Sequence, residues 1–166
     1  FNIASSKWTS HFSYEPEYFA SMNNTFLSFS GGTPWLHNSN STRNSFYGTT
    51  YSSKINIIFN QNRENVSSYD YLKLEGNKKW DIDYSTDYNS SSRKASTQCV
   101  GGSGSDRLTC ELNGGVFVSD YRVVDGNEYA DFRRDGSNGI EGERPKGYYV
   151  KLEMENSDTT ETKLYS

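Results

Sequence analysis

The acidic side chains of this sequence come close to a metal-binding pattern without completing one. One alternating series resembles the start of a calcium loop: Asp81, Asp83, Ser85 and Asp87. Such a loop needs Gly at its sixth position and a bidentate Glu at its twelfth, but Thr86 and Ser92 stand there. We therefore interpret these carboxylates as the polar side of a strand that runs into a loop.

The other groups that could do chemistry also lack a catalytic spacing. A second oxygen-rich segment contains Asp135, Ser137, Asn138, Glu141 and Glu143, which we interpret as a solvated acidic loop. No G-x-S-x-G nucleophile motif occurs. His11 and His37 are the only histidines, and each is expected to pack or to donate a hydrogen bond. The sequence thus predicts no catalytic, cofactor-binding or metal-binding residues. We therefore expect that the protein is not an enzyme.

Two cysteines, Cys99 and Cys110, flank a glycine-rich segment and are the candidate disulfide. A bridge there would close a short loop, and two unpaired thiols are the alternative in a reducing compartment. Residues 101–104 lack the Lys and the following helix of a phosphate-binding loop. We therefore predict a hairpin tip there, with residues 97–100 and 107–112 as its two strands.

The composition of the chain favours strands. Its charge and its hydropathy argue against nucleic acids and membranes as partners. Aromatic residues make up 15% of the 166 residues, and 13 of these are Tyr, whereas all hydrophobic residues together make up 33%. Aromatic side chains suit pleated surfaces, so most of them are expected in a β core. The net charge is −4 with scattered basic residues, which predicts no specific nucleic-acid site. No apolar stretch is long enough to predict a membrane segment.

Turn signals and alternating apolar residues divide the chain into short strands. Gly31-Gly32 and Asp125-Gly126 predict tight hairpin turns, and Pro34 predicts an edge strand. Residues 54–60, 68–76 and 79–85 alternate and predict a three-stranded meander. Short connections require antiparallel pairing. The predicted fold class is all-β: an antiparallel β-sandwich or open barrel with long polar loops.

The predicted organisation is a single β-rich domain over residues 1–166. Residues 1–24 have no clear period and predict an irregular N-terminal extension, with one helical turn at about Glu17 to Met22. Residues 85–96 are poor in apolar side chains and predict a flexible loop. The chain begins at Phe1 rather than at Met, which predicts a fragment of a longer protein.

Some aromatic side chains are expected at the surface, where Trp and Tyr favour protein interfaces and sugar faces. The candidate interaction surface consists of Trp35, His37, Tyr47, Tyr148 and Tyr149. The first three surround one polar loop. Tyr148 and Tyr149 are adjacent, so in a strand they would point to opposite faces.

Several short motifs resemble a family of tailed-phage virion proteins. They are WLHN at 35–38, RNSFYG at 43–48, INIIFN at 55–60, LKLEG at 72–76, GNEYA at 126–130 with Arg133-Arg134, and GYYVKL at 147–152. In this order they resemble the C-terminal part of the muzzle protein, also called the tail-nozzle or stabilisation protein, of crAss-like podoviruses. Residues 85–112 do not match any of the family's motifs.

The resemblance implies a structural protein of the bacteriophage tail, located in the virion. It implies a homo-oligomer in virus assembly, with copies of itself and other tail proteins as partners. It implies no catalytic residues, and contact with a host surface stays open. The alternative is a secreted or cell-surface carbohydrate-binding or adhesin β-sandwich module that uses Trp35, Tyr47 or the tyrosines 148 and 149 as stacking platforms.

Overall fold

The computed structural model describes residues 2–8, 10–60, 64–89, 92–94, 98–103, 107–118, 121–132 and 144–165. These residues group into two compact units, each of which is described by itself. The first unit contains residues 1–51 and 157–161, and the second contains residues 52–156 and 162–166. The single domain over residues 1–166 stays a prediction.

Three strands form an antiparallel meander in the first unit. They are β1 (Tyr18–Met22), β2 (Thr25–Ser30) and β3 (Thr33–Leu36), in the order β1-β2-β3. Both connections are two-residue turns at positive φ, one at Asn23-Asn24 and the predicted one at Gly31-Gly32. The strand β3 lies at the sheet edge, as Pro34 predicts. The predicted helical turn is wrong, because its residues form β1 and bond to β2 instead.

The register of this sheet separates two faces. Residues that lie opposite each other in antiparallel strands point to the same side. One side carries apolar residues almost throughout and is named the apolar face: Tyr18, Ala20, Met22, Leu27, Phe29, Pro34 and Leu36. The other side carries Phe19, Phe26, Ser28 and Trp35. A further short pair, β4 (Ser45–Phe46) and β5 (Thr49–Thr50), follows in the same unit.

Several aromatic residues of the first unit are exposed, whereas most aromatic residues were expected in a buried core. Among the described residues of this unit, Ser28 alone is fully buried. Trp8, Phe12, Tyr18 and Phe19 are each more than half exposed. The expectation that aromatic residues are mostly core is therefore wrong for this unit, because these four rings remain exposed.

The second unit is built from two antiparallel sheets. Four strands form the first sheet in the order β10-β9-β16-β6: β6 (Ser53–Phe59), β9 (Asp81–Thr86), β10 (Ser92–Lys94) and β16 (Val150–Asn156). Three strands form the second in the order β13-β14-β8: β8 (Tyr71–Leu74), β13 (Tyr121–Val124) and β14 (Asn127–Asp131). Two short pairs complete the unit: β7 (Ser67–Ser68) with β15 (Lys146–Gly147), and β11 (Gln98–Val100) with β12 (Val116–Val118).

Both sheets of the second unit contribute to one hydrophobic core. The buried members are Leu74, Trp80, Ile82, Tyr84, Tyr121, Ala130, Phe132, Val150, Leu152 and Met154. Tyr84 and Phe132 stack with their ring centroids 4.3 Å apart. Alternation is strict along β9 and β16, where every second residue is buried. The all-β, antiparallel, sandwich-like prediction is confirmed.

The pairing of the strands differs from the predicted meander. The strands β6 and β9 both pair with β16, which lies between them, whereas β8 pairs with β14. The meander prediction is wrong because alternation identifies strands but not their neighbours. Within residues 85–96, where a flexible loop is predicted, Ser92–Lys94 pairs with β9 as β10.

The segment between the cysteines contains a helix instead of the second arm of a hairpin. Residues Arg107–Leu112 form α1, and β11 pairs with β12 beyond it. The structure joins Cys99 and Cys110 by a disulfide bridge, and Cys110 is fully buried. A side chain added at Gly115 would lie 2.7 Å from Sγ of Cys99 and 2.8 Å from Sγ of Cys110. The hairpin prediction is wrong because Gln98–Val100 pairs with Val116–Val118, beyond the helix, and not with residues 107–112.

Candidate functional site

One cavity of the first unit is lined by the loop between β3 and β5. Its volume is about 590 Å³. We name it the aromatic cavity, and its lining consists of Phe12, residues 34–40 and residues 42–48. Three of the predicted surface residues, Trp35, His37 and Tyr47, lie together in this lining.

The buried hydroxyl of Ser28 connects two of these residues. The Oγ atom of Ser28 lies 2.5 Å from Nε2 of His37 and 2.7 Å from the hydroxyl of Tyr47. Ser28 is 0% exposed, so its hydroxyl is shielded from water in both contacts. A hydroxyl next to an imidazole is also the arrangement of a serine nucleophile and its base. Because Ser28 is enclosed, we interpret the contact as one that positions His37 and Tyr47.

Aromatic rings pack on the same side of the sheet. Tyr14 stacks on Phe46 with centroids 4.3 Å apart and meets Tyr47 edge-on at 5.4 Å. Trp35 contacts Tyr47 in a T-shaped arrangement at 5.5 Å. Burial raises the pKa of the Tyr14 hydroxyl above 10.0, and the neighbouring Tyr47 raises it further. The rings therefore stiffen a loop that has few aliphatic residues.

Three residues of the lining other than glycine have positive φ. Asn38, Asn44 and Tyr47 have φ values of 56°, 57° and 53°. Asn tolerates this left-handed region, whereas a bulky aromatic residue rarely adopts it, at a cost of roughly 1–3 kcal/mol. The bond from Tyr47 to Ser28 is one interaction that holds the strained conformation.

A segment from the end of the chain anchors the loop. The backbone N–H of Arg43 donates to the carbonyl of Thr159 at 2.7 Å, and Nδ2 of Asn44 donates to the carbonyl of Asp158 at 2.9 Å. The N–H of Tyr51 donates to the carbonyl of Asn44 at 2.7 Å. These bonds fix the backbone from which the Arg43 guanidinium projects.

Tyr148 and Tyr149 belong to the second unit, between β15 and β16 rather than inside a strand. Each is 38% exposed. The N–H of Tyr148 donates to Oδ1 of Asp87 at 2.9 Å, and its ring meets Tyr88 edge-on at 5.9 Å. A hydrogen bond with Tyr148 raises the pKa of the Tyr88 hydroxyl. The expectation that the two tyrosines point apart within a strand therefore does not apply.

Sequence reasoning missed Ser28, Phe12, Tyr14 and Arg43 as members of this site. One signal was present for Ser28, which is a polar residue between the apolar residues Leu27 and Phe29. The contact between Ser28 and His37 joins the strand β2 to the residue that follows β3, so no local spacing predicts it.

The oxygen-rich segments give no assembled metal site in the described part of the chain. Asp81 and Asp83 lie on β9. Residues 135–143 of the second acidic segment lie outside the described residues. Across the described ranges, no group of three or more His, Cys, Asp or Glu side chains is placed to hold a metal ion. No helix of the described residues is long and apolar enough to cross a membrane.

A comparison with known families decides the assignment. The Crassvirus muzzle protein C-terminal domain matches residues 41–135, which is more than half of the 166 residues. The chain belongs to this muzzle family. The resemblance carried by its short motifs is thereby confirmed. No curated protein matches the chain significantly.

The muzzle assignment gives the chain a phage structural role in the virion tail. The matched span runs through residues 85–112, which the short motifs left out. It includes Arg43, Phe46 and Tyr47 of the aromatic cavity but begins after Trp35 and His37. The cavity of this muzzle domain is therefore only partly inside the family match.

Proposed function

We propose that this muzzle domain is part of the tail nozzle and assembles through contacts with copies of itself and with other tail proteins. The family membership supports a structural, non-enzymatic role in the phage tail. The observation that carries the proposal is the apolar face of the first unit. Residues Tyr18 and Met22 on this face are 67% and 61% exposed.

The chemistry of the apolar face favours a protein partner. No charged side chain lies among its residues, which run across all three strands. The two outer strands, β1 and β3, each have one edge that is not paired within the described sheet. Exposed apolar surface and open strand edges are the features by which sheets associate.

The area of the apolar face indicates that it forms only one part of an interface between subunits. Three strands about 4.8 Å apart, with about 3.3 Å per residue, give an area on the order of 200–300 Å². A standard interface buries about 800 Å² on each partner. The apolar face is therefore one part of a larger contact between subunits, for which we propose a neighbouring copy of the chain.

The proposal is tested by the molar mass of the purified protein across a concentration series, measured by light scattering. We expect an oligomer, and we expect the double substitution Tyr18→Ser and Met22→Ser to shift it towards the monomer. The control is Leu112→Ser, which changes an exposed leucine of α1. A monomer at every concentration, or equal effects of the two variants, contradicts the proposed contact.

A further inference from the structure

We propose that the aromatic cavity binds an acidic saccharide, a sugar that carries a carboxylate. This inference goes beyond the assembly role, because it concerns the loop after β3 instead of the apolar face. The cavity volume of about 590 Å³ lies within the range of small-molecule sites.

The lining combines the two kinds of group that a sugar requires. Sugar rings have an apolar C–H face, which packs on aromatic planes, and hydroxyl groups, which need both donors and acceptors. The aromatic planes come from Phe12, which is more than half exposed, and from Trp35, which is 36% exposed. Amide and hydroxyl side chains lie along the same lining: Asn38, Ser39, Asn40, Thr42, Asn44 and Ser45.

The charge of the lining indicates that the sugar is acidic. Arg43 is the one permanently charged residue among those that line the cavity, and no carboxylate lies among them. Within the described residues, its guanidinium has no ion-pair partner. A guanidinium fixed at its backbone is suited to hold a carboxylate by two parallel hydrogen bonds. The backbone bond to Thr159 provides that anchor.

The shape of the cavity is set before any ligand arrives. The Oγ of Ser28, which is 0% exposed, bonds to Tyr47 and His37, both of which belong to the lining. Asn38, Asn44 and Tyr47 are held at positive φ around it. Strain of this kind is typical of loops that form ligand sites. A preformed site loses less conformational freedom when it binds.

The inference is tested by calorimetric titration of the chain with acidic saccharides, each compared with its neutral counterpart. The probes are a hexuronic acid trisaccharide with the matching neutral hexose trisaccharide, and sialyllactose with lactose. We expect at least one acidic sugar to bind roughly 10-fold tighter than its counterpart, since a charge-assisted hydrogen bond has about this effect. Arg43→Gln should abolish that preference, and Trp35→Ala or Phe12→Ala should weaken binding to all of these sugars.

Matched controls separate this site from the assembly surface. Lys7→Gln removes an exposed cation of the same unit, and Tyr18→Ala removes an aromatic ring from the apolar face. Neither should change the sugar affinity, and Tyr18→Ala should still weaken association if the assembly proposal is right. The inference is overturned if no acidic sugar on the panel binds saturably, if Arg43→Gln and Trp35→Ala leave binding unchanged, or if inorganic phosphate competes as well as the sugar.

Discussion

The hydroxyl of Tyr47 lies 2.7 Å from the buried Oγ of Ser28, and this contact joins the loop after β4 to the central strand of the first sheet. Ser28 also contacts Nε2 of His37, which follows β3. A polar residue therefore occupies the most enclosed position described in this unit. The hydrogen bonds there, together with the surrounding rings, take the place of an aliphatic core.

We expect Ser28→Ala to destabilise the first unit by roughly 1–3 kcal/mol, since it leaves partly buried partners without a bond. Tyr47→Phe should cost less, because Ser28 keeps its contact with His37. Amide hydrogen exchange of β2 and β3 measures the effect. Ser21→Ala, at an exposed position on the same side of the sheet, is the control and should leave exchange unchanged. Equal exchange rates in Ser28→Ala and the unmodified chain would contradict the structural role.

Gly115→Ala should destabilise the second unit by about 1–3 kcal/mol through steric overlap. The new Cβ would meet both sulfur atoms of the Cys99–Cys110 bridge at less than 3 Å. Thermal unfolding measures the loss. In a background with both cysteines replaced by Ala, the penalty should shrink, because the sulfur atoms are gone. A penalty of the same size in both backgrounds would show that the overlap with the sulfur atoms does not cause it.

Phe132→Ala should cost roughly 3–5 kcal/mol, the range for removing a buried aromatic ring. Phe132 is almost fully buried and stacks on Tyr84, so its removal leaves a cavity between the two sheets. The free energy of unfolding, from urea titration, gives the value. Phe59→Ala is the matched control and should cost less than half as much, because Phe59 is 45% exposed. Similar losses for the two variants would argue against the shared core.

Alkaline pH should destabilise the first unit through Tyr14. Burial, and then Tyr47, raise the pKa of the Tyr14 hydroxyl, so the folded state holds this proton more tightly than the unfolded state. The stability linked to Tyr14 is therefore complete below pH 10.0 and is lost as the pH rises through the raised pKa. Unfolding midpoints at neutral and alkaline pH measure the loss.

Tyr14→Phe should reduce this alkaline loss, since no hydroxyl proton then distinguishes the two states. Tyr18→Phe is the matched control at a largely exposed position of the same unit and should leave the loss unchanged. An alkaline loss that is identical in Tyr14→Phe and the unmodified chain would exclude Tyr14 as its source.

The sequence by itself determined the fold class, the family and many of the strands. Along Asp81–Thr86 every second side chain is buried and the others are partly exposed, as the alternation of residues 79–85 predicts, because the side-chain direction in a strand reverses at every residue. The turns at Gly31-Gly32 and Asp125-Gly126 were predictable for a local reason, since their backbone needs positive φ at both positions. The motifs from 35–38 to 147–152 indicated the muzzle family.

Only the tertiary structure decided which strands pair and which side chains form the cavity. Alternation is the same for any neighbour, so it does not place β16 between β6 and β9. It also does not show that Ser28 meets Tyr47, which lies 19 residues away along the chain. The helix α1 forms where a strand was expected, because β11 pairs with β12, beyond the helix, and not with residues 107–112. These features depend on contacts between residues that are distant in sequence, and local patterns carry no information about such contacts.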